Sequence, residues 1–159
     1  MLLKDKKCLI FGVANNRSIA YGIASAFRDN GARLAFSYAG DAIHKRVEPI
    51  SEELGGEFTF PCDVTSDEQI AAAAELVKEK WGGVDVLVHS VAFANREDLT
   101  HRFIETSRDG FATALNISAY SLTALCHAFE PLLNPNASVL TMTYYGAQKI
   151  ITNYNVMGV

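Results

Sequence analysis

The chain has 159 residues and a formal net charge of -4, with 49% hydrophobic and 20% charged residues. That length suits one compact domain with its own core. The balance excludes a basic footprint for nucleic acid, and no apolar run is long enough to span a membrane. Three cysteines, Cys8, Cys62 and Cys126, stand far apart beside apolar runs. No Cys or His pair has metal-ligand spacing, so the expectation is three buried thiols in a reducing compartment and no metal site.

Met1-Leu2-Leu3 runs directly into charged residues, which predicts no signal peptide. Lys7 to Gly12 reads as a first buried strand. Ser18 to Asn30 reads as a helix closed by Gly31. Arg33 to Tyr38 is a second strand, and Asp41 to Leu54 a helix ended by Gly55-Gly56. Glu57 to Cys62 is a third strand. Ser66 to Trp81 is helical, with Ser66 and Gln69 spaced as a capping box, and Gly82-Gly83 breaks it. Val84 to His89 is a fourth strand, followed by a polar loop from Ala92 to about Thr106. A long helix is predicted over Arg108 to Leu133, stopped by Asn134-Pro135. Ala137 to Thr143 is a fifth strand, and Tyr154 to Val159 begins another helix.

Repeated strand-helix-strand units predict a parallel sheet with helices on both faces, the doubly wound, Rossmann-like α/β fold. Residues 1–159 read as a single dinucleotide-binding domain. Such sheets bind ligands beyond the carboxyl ends of their strands, where strand order reverses. Candidate residues therefore come from the strand ends.

The first strand runs into Gly12-Val-Ala-Asn-Asn-Arg-Ser18-Ile19-Ala20-Tyr21-Gly22. Two glycine fingerprints fail here. Ala14 and Arg17 occupy the second and third glycine positions of G-x-G-x-x-G, and Asn16 and Ser18 those of G-x-x-x-G-x-G. Gly12 still permits close backbone approach, the helix opening at Ser18 offers free N–H groups to a pyrophosphate, and Gly22 is expected to pack that helix on the sheet. An ordinary strand-to-helix loop capped by Ser18 fits equally well. The second strand ends Ser37-Tyr38-Ala39-Gly40 with neither a carboxylate for a ribose hydroxyl nor an arginine for a 2′-phosphate, and Lys45 and Arg46 read as a solvated helix face. Asp63-Val64 could pair with an adenine, or Asp63 could cap a turn. The fourth strand ends His89-Ser90-Val91-Ala92-Phe93-Ala94, whose small residues let a ribose approach the backbone or simply pack a crowded strand end. His89 itself reads as a satisfied core histidine. Finally, Tyr144 leaves the fifth strand and Tyr154 begins a helix ten residues on. Two phenols converging on one pocket can hydrogen-bond a carbonyl oxygen that gains negative charge; taken alone, they are also ordinary packing residues.

Five segments occur together along the whole chain: Gly12-x5-Ser18-Ile-Ala-Tyr-Gly22, Cys62-Asp63-Val64, His89-Ser90-Val91-Ala92-Phe93-Ala94, Asn116-Ile-Ser-Ala-Tyr-Ser121 and Asn153-Tyr154-Asn-Val-Met157-Gly158. In order and spacing they resemble the enoyl-acyl-carrier-protein reductases, a branch of the short-chain dehydrogenases. The wider family carries Tyr-x-x-x-Lys, but Gly158 stands four residues after Tyr154. Enoyl reductases place lysine seven residues on, about two helical turns and so on the tyrosine's face; that position would be 161.

The resemblance implies a cofactor contacted by Gly12, Ser18, Ile19, Asp63, Val64, Ser90 and Val91. It implies hydride transfer to the β-carbon of a trans-2-enoyl thioester, with Tyr154 bonding the thioester oxygen and Tyr144 shaping the pocket or assisting proton delivery. Ala94, Leu99 and Met157 line that pocket. It further implies NADH as cofactor, since Ala39-Gly40 resembles NADH users, with NADPH possible. Acyl carrier protein is the implied partner, the cytoplasm of bacteria the location, fatty-acid elongation the process, and a homotetramer the assembly. Family members continue through further strands, so the expectation is a carboxy-terminally incomplete domain without useful activity of its own, whose fifth strand is an exposed apolar edge. A carbonyl or 3-ketoacyl reductase of the same fold would show serine near 143 and lysine at 158, and this chain has neither. A non-catalytic nucleotide-binding regulator is the alternative from another class.

Overall fold

The structure is a computed structural model describing residues 1–159. Five strands form one sheet: β1 (Lys7–Phe11), β2 (Arg33–Tyr38), β3 (Phe58–Pro61), β4 (Val84–His89) and β5 (Leu133–Thr141). Their order is β3-β2-β1-β4-β5 and every pairing is parallel. Leu9 lies level with Ala35 on one side and Leu87 on the other.

Apolar runs such as Cys8-Leu-Ile-Phe11 are wholly buried because both faces of the sheet are covered. The period of two along a strand then splits the core in two. Leu9 and Phe11 point to α3 (Asp67–Trp81) and α6 (Ser121–Phe129), joining Phe60, Val77, Leu125 and Phe129. Cys8 and Ile10 point to α1 (Ile19–Asp29) and α2 (Asp41–Leu54), joining Ala20, Ala24, Phe36 and Val47. Phe11 anchors the first group edge-on to Phe60 and Phe129, with centroids 5.8 Å away in each case; this edge-to-face geometry suits the ring quadrupoles.

The elements follow the sequence closely, with four corrections. Gly22 does not pack α1 on the sheet: a methyl there would meet nothing within 4 Å, and Ala20 and Ala24 make the close contact instead. Only half of the capping box forms. Ser66 accepts the Gln69 N–H, but the Gln69 side chain turns to accept the Asp63 N–H at 2.9 Å. The helix predicted over 108–133 is α5 (Arg108–Leu115), a π-helical turn at Asn116–Tyr120, α6, and a 3-10 turn at Glu130–Leu132. β5 begins at Leu133, four residues early, because Asn136 takes a left-handed φ of 66° and the strand reaches register with β4 through an irregularity. Within the loop after β4 lies a short helix, α4 (Arg96–Thr100), and the chain ends in α7 (Asn155–Gly158).

β5 is an edge strand, and Val139, Leu140 and Met142 beside it are each more than a third exposed. All three cysteines are free; Cys8 and Cys62 are buried, but Cys126, on α6, is only half-buried, which corrects the expectation of three buried thiols. Burial pushes the Cys8 and Cys62 thiols up to about 12, which keeps them protonated and unreactive. No helix is long and apolar enough to cross a membrane.

Candidate active site

The sheet order reverses between β1 and β4, and that is where a doubly wound sheet opens a crevice. Gly12 leaves β1 with φ +102°, and a Cβ on it would lie 2.0 Å from the Ser90 carbonyl oxygen. Only glycine lets the tips of β1 and β4 approach this closely. The absence of further glycines has a local cause. Asn15 organises the turn, its side chain accepting the Arg17 N–H at 2.8 Å and its carbonyl accepting the Ser18 N–H at 3.1 Å. No residue from Val13 to Ser18 has positive φ, so Ala14, Asn16 and Ser18 need not be glycine. Ser18 is the N-cap residue of α1, but its hydroxyl donates to the Asn15 carbonyl (2.6 Å) instead of capping. The first N–H groups of α1 therefore remain available to an anion.

Two cavities meet over this point. One, of about 350 Å3, is lined by Tyr38, Ala39, Cys62, Asp63 and Val64 at the ends of β2 and β3, with Ile117 from the π-helical turn. The other, of about 600 Å3, is lined by Ser18, Ile19, Tyr144, Tyr154 and Met157, with Ser118 and Ala119 from the same turn. Gly12, Ser90, Val91 and Ala92 border both. All seven residues expected to contact a cofactor thus lie along one continuous crevice. Asp63 serves a turn as well: its Oδ1 accepts the Thr65 N–H and hydroxyl at 2.9 and 2.7 Å. Lys45 and Arg46 are exposed on α2, and no arginine or lysine lines either cavity.

Tyr144 and Tyr154 stand together on the wall of the larger cavity, ring centroids 4.8 Å apart and planes at 76°. Met157 joins them there, whereas Ala94 and Leu99 reach neither cavity. Leu99 instead belongs to α4, which packs on α7. Asn155 reinforces that contact by donating to the His101 carbonyl.

The π-helical turn is the feature that the sequence reading missed. A 3.6-residue period cannot reveal an extra residue in one turn, although such bulges recur at functional sites. Here it turns Ile117, Ser118 and Ala119 towards the crevice. Ser118 ties it to the loop after β4, accepting the Phe93 N–H (3.0 Å) and donating to the Phe93 carbonyl (3.1 Å).

His89, 2% exposed, supports the turn from below. Ser121 donates its hydroxyl proton to the Ile117 carbonyl at 2.6 Å, so it accepts from His89 Nε2–H at 2.7 Å, and Nδ1 accepts from the Thr141 hydroxyl at 3.1 Å. This is the satisfied, neutral core histidine expected from sequence. Burial holds it below the usual 6.5. As pH falls below 6.5 the unfolded chain takes up the proton before the folded chain does, so His89 costs stability through the interval down to its lower folded value. A urea-midpoint profile from pH 7 to 5 is expected to fall more steeply in the parent chain than in His89→Asn; parallel profiles would refute this.

A parallel β3-β2-β1-β4-β5 sheet with a ligand crevice at the reversal and paired tyrosines beside it defines a Rossmann-type domain of the short-chain dehydrogenase/reductase class. The sequence model described as Enoyl-(Acyl carrier protein) reductase matches residues 12–159, and the chain belongs to that family. It is 48% identical over 158 residues to the Rhizobium meliloti protein named Enoyl-[acyl-carrier-protein] reductase [NADH] 1, covering 99% of this chain and 58% of that relative. It is 46% identical to the corresponding protein of Aquifex aeolicus, covering 99% of this chain and 59% of that one. The Aquifex aeolicus crystal structure superimposes with a TM-score of 0.97, and an Anaplasma phagocytophilum reductase in complex with NAD with 0.96 at 43% identity; they cover 99% of this chain, and 63% and 61% of those chains. The Bacillus cereus reductase, solved with NADP+ and an indole naphthyridinone, gives 0.95 at 44% identity, covering 99% of this chain and 62% of its own. The chain therefore spans about 60% of the length of the relatives it matches.

Proposed function

We propose that this chain is the dinucleotide-binding domain of an NADH-dependent reductase that saturates the trans-2 double bond of an enoyl chain carried on acyl carrier protein, in fatty-acid elongation. The observation that carries this reading is the pair of phenols, Tyr144 and Tyr154, set at 4.8 Å on the wall of the crevice that Gly12 and Ser90 border. The crevice suits a dinucleotide: its floor is bare backbone, where a side chain at Gly12 would collide with the Ser90 carbonyl, and the first N–H groups of α1 carry no side-chain cap. Gly12, Ser18, Ile19, Ser90 and Val91 would hold the nicotinamide half and pyrophosphate, and Asp63 and Val64 the adenine. Bound NADH supplies the hydride.

Tyr154 donates a hydrogen bond to the thioester oxygen and so stabilises the negative charge that develops there. Tyr144 packs edge-on against it, fixes its ring and borders the acyl pocket with Met157. NADH is favoured over NADPH because no basic side chain lines the crevice to meet a 2′-phosphate. A cytoplasmic homotetramer accords with the family resemblance. A 3-ketoacyl reductase is disfavoured by the packing at Gly158, where a Cβ would already sit 3.0 Å from the Gly146 carbonyl oxygen, leaving little room for a lysine.

The test is NADH oxidation with a crotonyl and with an acetoacetyl thioester. It is run on the 159-residue chain and on a chain completed with the remainder of the Rhizobium meliloti relative. The completed chain is expected to reduce the crotonyl thioester alone, and the shorter chain to turn over neither. Reduction of the acetoacetyl thioester would favour the ketoacyl reading, and NADH binding by the completed chain without turnover of either thioester would favour a regulator.

A further inference from the structure

Gly146 occupies a position that neither its backbone nor its turn demands. It lies within the 3-10 turn Tyr145–Ala147 and its φ is not positive. The turn folds straight back after Tyr144, with the Ala147 N–H donating to the Tyr144 carbonyl at 2.9 Å. That return places the Gly146 α-carbon against both phenol rings. A methyl there would stand 2.7 Å from Tyr154 Cδ1 and 2.9 Å from Tyr144 Cδ1. On its other side the Gly146 carbonyl faces Gly158 of α7, where a Cβ would come within 3.0 Å of the oxygen. Two glycines thus meet at the junction of the β5 exit and the start of α7, and the aromatic pair rests on that junction.

We infer that Gly146 is a positioning residue: as a spacer without a side chain, seated on Gly158, it sets the distance and angle at which Tyr154 meets Tyr144 and so aims the Tyr154 hydroxyl at the reacting oxygen. The inference rests on the proposed role of Tyr154 and assigns how that role is set. A displaced ring on the order of 1 Å out of place costs about a hundredfold in rate, because orientation supplies much of the acceleration. Asp63 and Val64 line the smaller cavity, which neither tyrosine borders. The effect should therefore fall on kcat and leave the affinity for NADH nearly unchanged.

The decisive experiment is a double-mutant cycle in the full-length protein with a crotonyl thioester. Gly146→Ala is expected to lower kcat roughly a hundredfold, with KM and the NADH dissociation constant changed less than about threefold. In the Tyr154→Phe background the same substitution is expected to cost less than about threefold, because the hydroxyl it misaims is already gone. Additive losses, or a Gly146→Ala enzyme with parental kcat, would overturn the positioning role while leaving Tyr154 in place. A Tyr154→Phe enzyme with parental kcat would overturn the role of Tyr154 and this inference with it. Should Gly146→Ala not fold, Gly158→Ala decides. It presses on the same junction more gently, through the carbonyl of Gly146, and is expected to lower kcat by about tenfold in the parent and not in Tyr154→Phe; an equal loss in both would overturn the proposal.

Discussion

Gly12→Ala is expected to destabilise the chain by roughly 4 kcal/mol and to abolish measurable NADH binding. The new Cβ would fall 2.0 Å from the Ser90 carbonyl oxygen and 2.4 Å from its carbon, and both are backbone atoms that no rotamer change can move aside. A φ of +102° adds strain for any L side chain. Relief requires the tips of β1 and β4 to separate, which opens the floor shared by the two cavities. For a chain of this size that corresponds to a fall of about 10 °C or more in melting temperature. Gly22→Ala is the matched control. The methyl meets nothing on the exposed side of α1, and replacing glycine within a helix stabilises by about 0.5–1 kcal/mol. Calorimetry and NADH fluorescence titration of both variants check this. A Gly12→Ala protein melting within about two degrees of the parent would show the close approach to be unnecessary.

Tyr154→Phe is expected to lower kcat of the completed enzyme by roughly a hundredfold, the scale seen when one donor to a developing oxyanion is removed. Phenylalanine keeps the ring, so the edge-on contact with Tyr144 and the contact with Gly146 should survive, and melting temperature and NADH affinity should hardly change. Tyr144→Phe should cost less, since Tyr144 acts chiefly through its ring. Steady-state rates with a crotonyl thioester distinguish the two. A Tyr154→Phe enzyme impaired in NADH binding but not in kcat would reassign Tyr154 to the cofactor.

The sheet was readable from the sequence because buried parallel strands are short apolar runs bounded by breakers; Gly31, Gly55 and Gly82 each mark a helix end. The crevice was readable because strand ends at an order reversal are a topological property and not a side-chain detail. What escaped came from local backbone accommodation. Asn15 substitutes for glycines in the β1–α1 turn, the Gln69 side chain prefers Asp63 to its own helix start, and the 116–120 turn adds a residue that no regular period encodes. Ala94 and Leu99 rest on the resemblance alone, and where they lie depends on how α4 packs on α7, a long-range choice absent from local pattern.

Successive residues of β1 feed two separate interiors, Leu9 and Phe11 on one side, Cys8 and Ile10 on the other. Those interiors have no side chain in common; they touch only through the pleated backbone between them. A volume change absorbed among Phe60, Val77 and Phe129 need not be matched among Ala24, Phe36 and Val47. Each half can therefore drift by its own compensations across evolutionary time, while the strand tips stay where the backbone ladder puts them.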